Sequence, residues 1–104
     1  MFHFHLTKYW FDQIKSGNKR CEYRLITDRM RKIVHNELSR SSVWPAKIYC
    51  GYPKSSDKER VLDVVVKEVN IFGGFELPPR VKEFLKPASG DFYYQFVLSE
   101  VSDA

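Results

Sequence analysis

The chain has 104 residues, 43% of them hydrophobic and 29% charged, which fits one domain with a single core and excludes a disordered or fibrous chain. No apolar run approaches the roughly 20 residues that span a bilayer, and "MFHFHLTKYW" has no basic segment ahead of a long apolar stretch, so neither a membrane partner nor a signal peptide is expected. The two cysteines, Cys21 and Cys50, have no metal-like spacing; both are expected to be reduced thiols, with the cytoplasm as the location.

The first strand is read from "FHFHL", where Phe2, Phe4 and Leu6 share one face and His3 and His5 the other. Thr7 can cap a short helix whose apolar stripe is Trp10, Phe11 and Ile14, and Gly17 supplies the left-handed residue that ends it. "KRCEYRLI" is extended again. A second helix starts at Thr27 and Asp28, with Met30, Ile33, Val34 and Leu38 at helical spacing and Arg29, Arg31 and Lys32 on or beside its exposed face. "SRSSVWP" breaks it.

"AKIYCGY" reads as the third strand and "PKSSDKE" as a polar hairpin-type loop. In "RVLDVVVKEVNIF" the apolar face is Leu62, Val64 and Val66, then Val69 and Ile71; the parity switch near Lys67 and Glu68 predicts a bulge or bend. Gly73 and Gly74 end this strand. Pro79 opens a short helix carrying Val81, Phe84 and Leu85, Pro87 stops it, and "DFYYQFVLSEV" closes the chain as a strand. The order β-α-β-α-β-β-α-β, with its non-local pairings, predicts an α+β fold: a small mixed β-barrel with helices packed outside, one domain over residues 1–104.

Charge is uneven along this chain. Residues 1–47 hold ten Lys/Arg against four Asp/Glu, a balance of +6, whereas residues 48–104 hold seven against nine, a balance of −2. A basic half beside a mildly acidic one suits a face that meets an anion such as a nucleic acid; an unevenly charged surface explains it equally well.

The densest chemistry lies in Gly17 to Arg24, "GNKRCEYR". On a regular strand Glu22 and Arg24 share a face and Lys19 points to the opposite one. The three converge only if Lys19 belongs to the turn that Gly17 permits. Glu22 then orients Lys19 and Arg24, leaving their remaining donors for an anion or a carbonyl oxygen. A surface salt-bridge cluster, contributing about 1 kcal/mol or less, is the plainer account of the same residues.

This stretch carries the Gly-x-Lys-x-x-Glu-x-Arg signature and resembles the ASCH domain, a relative of the RNA-binding PUA domain. "HLTKYWFDQIKSGNKRCEYR" is similar to the opening of small bacterial and phage ASCH proteins, "IYCGYPK" to their Gly-Tyr strand end, and "FYYQFVLSEV" to their closing strand. The family's Gly-Asp turn before the third strand is not evident, and "GGFELPPRVKEFLKP" replaces its glycine- and tryptophan-rich loop. The resemblance implies a PUA-like barrel whose basic cleft binds RNA or a nucleotide-like small molecule. It places Lys19, Glu22 and Arg24 in that cleft, with Gly17 allowing the turn and Lys8 and Tyr52 as neighbours.

The resemblance also brings a hydrolase alternative, since ASCH-like proteins include a branch similar to amidohydrolases of acetylated cytidine and others associated with RNA cleavage. In the hydrolase branch a hydroxyl residue stands three places after the signature lysine; here Glu22 stands there, so the nucleophile is missing. Paired with Glu22, Lys19 serves as an oxygen or phosphate clamp, and binding is the expected function. If the chain is an enzyme, Lys19 and Glu22 are its catalytic pair. An interaction module with no ligand of its own is a third class.

His3 and His5 have a spacing that can hold a metal, but only His35 remains to join them, so neither a metal nor another cofactor is expected. Tyr93 and Tyr94 straddle the two faces of the last strand, one as core and the other available to stack on a base. Trp10 is assigned to the core. Trp44 is assigned to packing, with a lid over the cleft as its other reading.

Overall fold

Alternation sets the first strand, β1 (Phe2–Leu6), whose phenylalanines are buried while His3 is exposed. The computed structural model describes residues 1–101, so the last three residues of the expected domain lie outside the described part. Around β1 follow α1 (Lys8–Lys15), β2 (Cys21–Leu25), α2 (Asp28–Arg40), β3 (Trp44–Cys50), β4 (Val61–Gly73), α3 (Pro79–Leu85) and β5 (Phe92–Leu98), with single 3-10 turns at Lys58–Arg60 and Gly74–Glu76. Thr7 occupies the N-cap of α1 without a side-chain cap, whereas the Thr27 hydroxyl accepts from the Met30 amide at 3.1 Å and caps α2.

The five strands form one sheet in the order β1-β3-β4-β5-β2. The β1–β3 pair is parallel and the other three pairs are antiparallel. The sheet curls into a half-barrel, so the fold is α+β and compatible with a small mixed barrel, and β1 and β2 face each other as unpaired edges. Curvature enters through the 13-residue β4. Its register against β5 shifts between Val66 and Glu68, where the apolar parity of the sequence switches. Beyond the shift Val69 is half-buried, but Ile71 is 62% exposed, so the expected apolar face ends before it.

One core cluster fills the inner face of the curl. Phe96 packs between Phe2 and Phe4 at ring-centroid distances of 5.2 and 4.9 Å, and Ile48 and Val66 are equally inaccessible. α1 adds Phe11 and Ile14 to this cluster and α2 adds Val34. α3 covers the opposite face, where Val81 and Leu77 pack on Tyr23 and Tyr93. The helices therefore lie against both faces of the sheet, and both tyrosines of the Tyr93–Tyr94 pair are buried, which corrects the expectation that one would stand free.

Strand boundaries shift from the sequence reading, most of all at the start of β3 and the end of β5. β3 starts at Trp44 and includes Pro45, because Pro45 precedes the first residue paired with β1, Ala46, and its missing amide costs no bond on that side. Trp44 is thus a strand residue; it packs against the core, and its indole donates to the Ser41 carbonyl at 2.7 Å. β5 ends at Leu98, although the Ser99 amide still donates to the Val65 carbonyl at 2.8 Å.

Where β4 passes into the 3-10 turn, the backbone comes close to the end of α3. A Cβ at Gly74 would lie 2.6 Å from the Pro87 Cβ. Gly74→Ala is therefore expected to destabilise the fold by about 1–3 kcal/mol through overpacking. Urea unfolding checks this, and a change below about 0.5 kcal/mol would show that the loop after α3 yields freely.

Candidate functional site

Gly17 ends α1 with a φ of 82°, and the turn after it sets the site. The Lys19 amide donates to the Gln13 carbonyl at 3.0 Å, holding Lys19 on the helix end rather than in the ladder, whose β2 portion begins at Cys21. Released from strand parity, the Lys19 ammonium reaches the face that bears Glu22 and Arg24. That face is the inner one: Glu22 sits opposite Phe96 and Arg24 opposite Tyr94.

Glu22 is 5% exposed and is the one buried charged side chain among the described residues. Burial of a carboxylate costs several kcal/mol unless cations and hydrogen bonds replace the water. Both oxygens are engaged. Oε1 meets the Lys19 ammonium at 3.3 Å, while Oε2 accepts from Arg24 Nε at 2.9 Å and contacts its Nη2 at 2.7 Å. Two guanidinium nitrogens converge on the single oxygen Oε2, which holds the guanidinium against the carboxylate. Arg24 Nη2 also donates to the His5 carbonyl at 3.2 Å, and so ties edge strand β2 to edge strand β1.

Each cation also rests on an aromatic ring. The Lys19 ammonium stands 4.2 Å from the centre of the Trp10 ring and the Arg24 guanidinium 5.3 Å from that of Phe4. Such contacts contribute about 0.5–2 kcal/mol, more as water is excluded.

The gap between β1 and β2 opens into a cavity of about 720 Å³. Its wall takes Glu22 and Arg24 from one face of β2 and Tyr23 from the other, with Trp10 of α1, Arg29 of α2 and Phe84 of α3 around them. Three cations and one carboxylate line it, a formal +2. Lys19 and Arg24 share Glu22, whereas Arg29 has no ion pair among the described residues and is exposed. Burial pushes the Tyr23 and Tyr93 phenols up, so both stay neutral in the wall. Burial likewise raises the Cys21 thiol against the opposing pull of Lys19, which leaves little nucleophilic thiolate.

Of the six residues singled out from the sequence, Lys19, Glu22, Arg24 and Tyr52 line this cavity. Gly17 lines a second one, of about 680 Å³, on the far side of the turn, which Lys19 also borders. Lys8 lies on the exposed side of α1, pairs with Asp12 at 2.5 Å, and borders neither cavity. His3 and His5 spend their Nδ1 atoms on the Tyr49 hydroxyl and the Gly51 carbonyl, both at 2.8 Å. Among the described residues no three His, Cys, Asp or Glu side chains gather as metal ligands.

Sequence reasoning missed three wall residues. Trp10, assigned to the core from its stripe with Phe11 and Ile14, is half-buried and carries Lys19. Arg29 was one basic residue among several on α2, and its place in the first turn after Thr27 is what directs it to the gap. His5 entered as a metal candidate, yet its carbonyl receives Arg24. Compared with family models, with curated proteins and with solved structures, the chain matches none.

Because Glu22 is buried, Arg24→Ala leaves it with Lys19 alone. The expected loss is about 2–4 kcal/mol, somewhat less than the roughly 3–5 kcal/mol for a fully buried pair because Arg24 is one-third exposed. Arg24→Ala combined with Glu22→Leu should recover part of that loss, as measured by denaturant unfolding of the single and double variants. Equal stability of Arg24→Ala and the parent would show that the carboxylate needs no guanidinium.

Proposed function

We propose that the cavity between β1 and β2 binds a nucleotide unit, presented by single-stranded RNA or as a free nucleotide-like molecule, and recognises it without cleaving it. The observation that carries this reading is the convergence of Lys19 and Arg24 on one buried carboxylate in the wall of a cavity that also holds Arg29, which has no ion pair among the described residues. A volume of about 720 Å³ is within the 300–1,000 Å³ usual for small-molecule sites. The lining is predominantly aromatic and aliphatic with a few charged groups, as a planar base joined to an anionic phosphate requires.

The resemblance of Gly17 to Arg24 to the ASCH signature supports the same reading, and with it the PUA-like assignment of the half-barrel. Recognition is preferred to hydrolysis on the chemistry of the wall. Both Glu22 oxygens already face cations, so the carboxylate acts as an orienting anchor for Lys19 and Arg24. The position three places after Lys19 carries no hydroxyl nucleophile.

Single-stranded RNA, a mononucleotide and inorganic phosphate, titrated from 50 to 200 mM salt, test the proposal. RNA affinity should fall as salt rises, and Arg29→Ala should flatten the slope of log K against log salt by about 0.7 for the phosphate it no longer meets, with unchanged stability. Competition by the mononucleotide shows that both occupy one cavity. Acetylated cytidine and RNA recovered after incubation should be intact; product formation abolished by Lys19→Ala and Glu22→Gln would favour the hydrolase. No binding of RNA or mononucleotide at low salt overturns the proposal.

A further inference from the structure

Outside the charged triad, β1 and β3 carry a column of rings. The parallel register sets His5 beside Tyr49 on the outer face of the sheet. His3 and Tyr49 stack at a centroid distance of 5.9 Å, Tyr49 and His5 at 4.5 Å, and His5 and Tyr52 at 4.3 Å, all within 16° of parallel. Two local devices hold the column. Gly51, with a φ of 65°, turns the chain at the end of β3 so that Tyr52 folds back over His5. The Gly51 carbonyl then accepts from the His5 Nδ1–H at 2.8 Å, which fixes the ring plane.

The column ends on an open ring. Tyr52 is 86% exposed although one face of its phenol is covered by His5. A large ring held flat and left bare is a stacking surface, because each end of a π column offers a face to another flat molecule. Tyr52, His5 and His3 border the same cavity as Lys19, Arg24 and Arg29. Arg24 joins the two parts directly by donating to the His5 carbonyl at 3.2 Å.

We infer that Tyr52 is the stacking platform for a nucleobase, the outermost ring of the His3–Tyr49–His5–Tyr52 column, placed so that the phosphate joined to that base faces the cavity's cations. This rests on the nucleotide reading above and adds the base to it. Charge complementarity selects the ligand class: a formal +2 in the cavity beside a neutral π-face suits a molecule that is planar at one end and anionic at the other. The platform reads planarity rather than hydrogen-bonding edges, so it accepts any base.

The test uses single-stranded RNA with one 2-aminopurine and a matched strand in which every base is abasic. The parent protein should quench 2-aminopurine fluorescence on binding and should hold the base-bearing strand more tightly than the abasic one. Tyr52→Ala should weaken the base-bearing strand by about 5- to 150-fold and abolish the quenching, with the salt slope unchanged. Tyr52→Phe keeps the ring and should retain both affinity and quenching. If the parent binds RNA with the expected salt dependence but Tyr52→Ala binds and quenches equally, the platform is overturned and the cavity reading stands. If the parent binds neither RNA nor mononucleotide, both are overturned.

Discussion

The buried carboxylate of Glu22 is the constraint around which this molecule is arranged. It projects onto the face occupied by Phe96, where an ionised group survives only with cations at both oxygens. Lys19 and Arg24 supply them, and each must come from a particular place. Arg24 lies two residues along the same strand face, whereas Lys19 reaches Glu22 only from the turn that Gly17 opens. The edge strands depend on the same group, since the guanidinium that neutralises Glu22 also donates to the carbonyl of His5 across the gap. A fully paired barrel would have ladder bonds at that position. Here a side chain spans two unpaired edges, and the space beside it is the cavity.

That arrangement explains which parts of the structure can be read from the sequence. Local rules determine local features. The alternation of "FHFHL", the parity switch at Lys67 and Glu68, and the start of a helix at Thr27 and Asp28 each appear in the structure where residue chemistry puts them. The turn around Lys19 is legible for a further reason: on a regular strand parity sends Lys19 and Glu22 to opposite faces, so the charges converge only if Lys19 stands outside the ladder. The ASCH-like signature adds a functional expectation to this geometry, and that expectation rests on resemblance alone.

The cavity walls were not legible, because they depend on strand order. Nothing in the periodicity of Trp10, Phe11 and Ile14 separates the member that faces the gap from the two that face the core. Arg29 differs from Arg31 only in its direction from the first turn of α2; Arg31 spends its charge on Asp28 at 3.1 Å. One of Tyr93 and Tyr94 is expected to stand free, but Leu77, in the turn before α3, and Val81 of α3 cover the face of Tyr93. Pro45 reads as a breaker in isolation and is harmless at the first pairs of β3, before the ladder to β1 begins. In each case the residue's chemistry was correct and its neighbour was supplied by a distant segment.

The cations in the wall differ in how far they are committed, and this bears on what they can do. Arg24 is held by Glu22, by the His5 carbonyl and by the Phe4 ring, so little side-chain freedom would remain to be lost on binding the proposed ligand. Lys19, held by Glu22 and the Trp10 ring, is similarly arranged. Arg29 is exposed and without an ion pair among the described residues, which makes it the long-range attractor of the group. A spherical anion would use these charges and leave the apolar wall of Trp10, Met30, Ile33 and Phe84 in contact with water. A flat uncharged molecule would cover that wall and leave the fixed donors of Arg24 and Lys19 without a new acceptor. A ligand with both parts would answer both the fixed donors and the apolar wall, and this is the ground on which a nucleotide is proposed in preference to a simple anion or a simple aromatic.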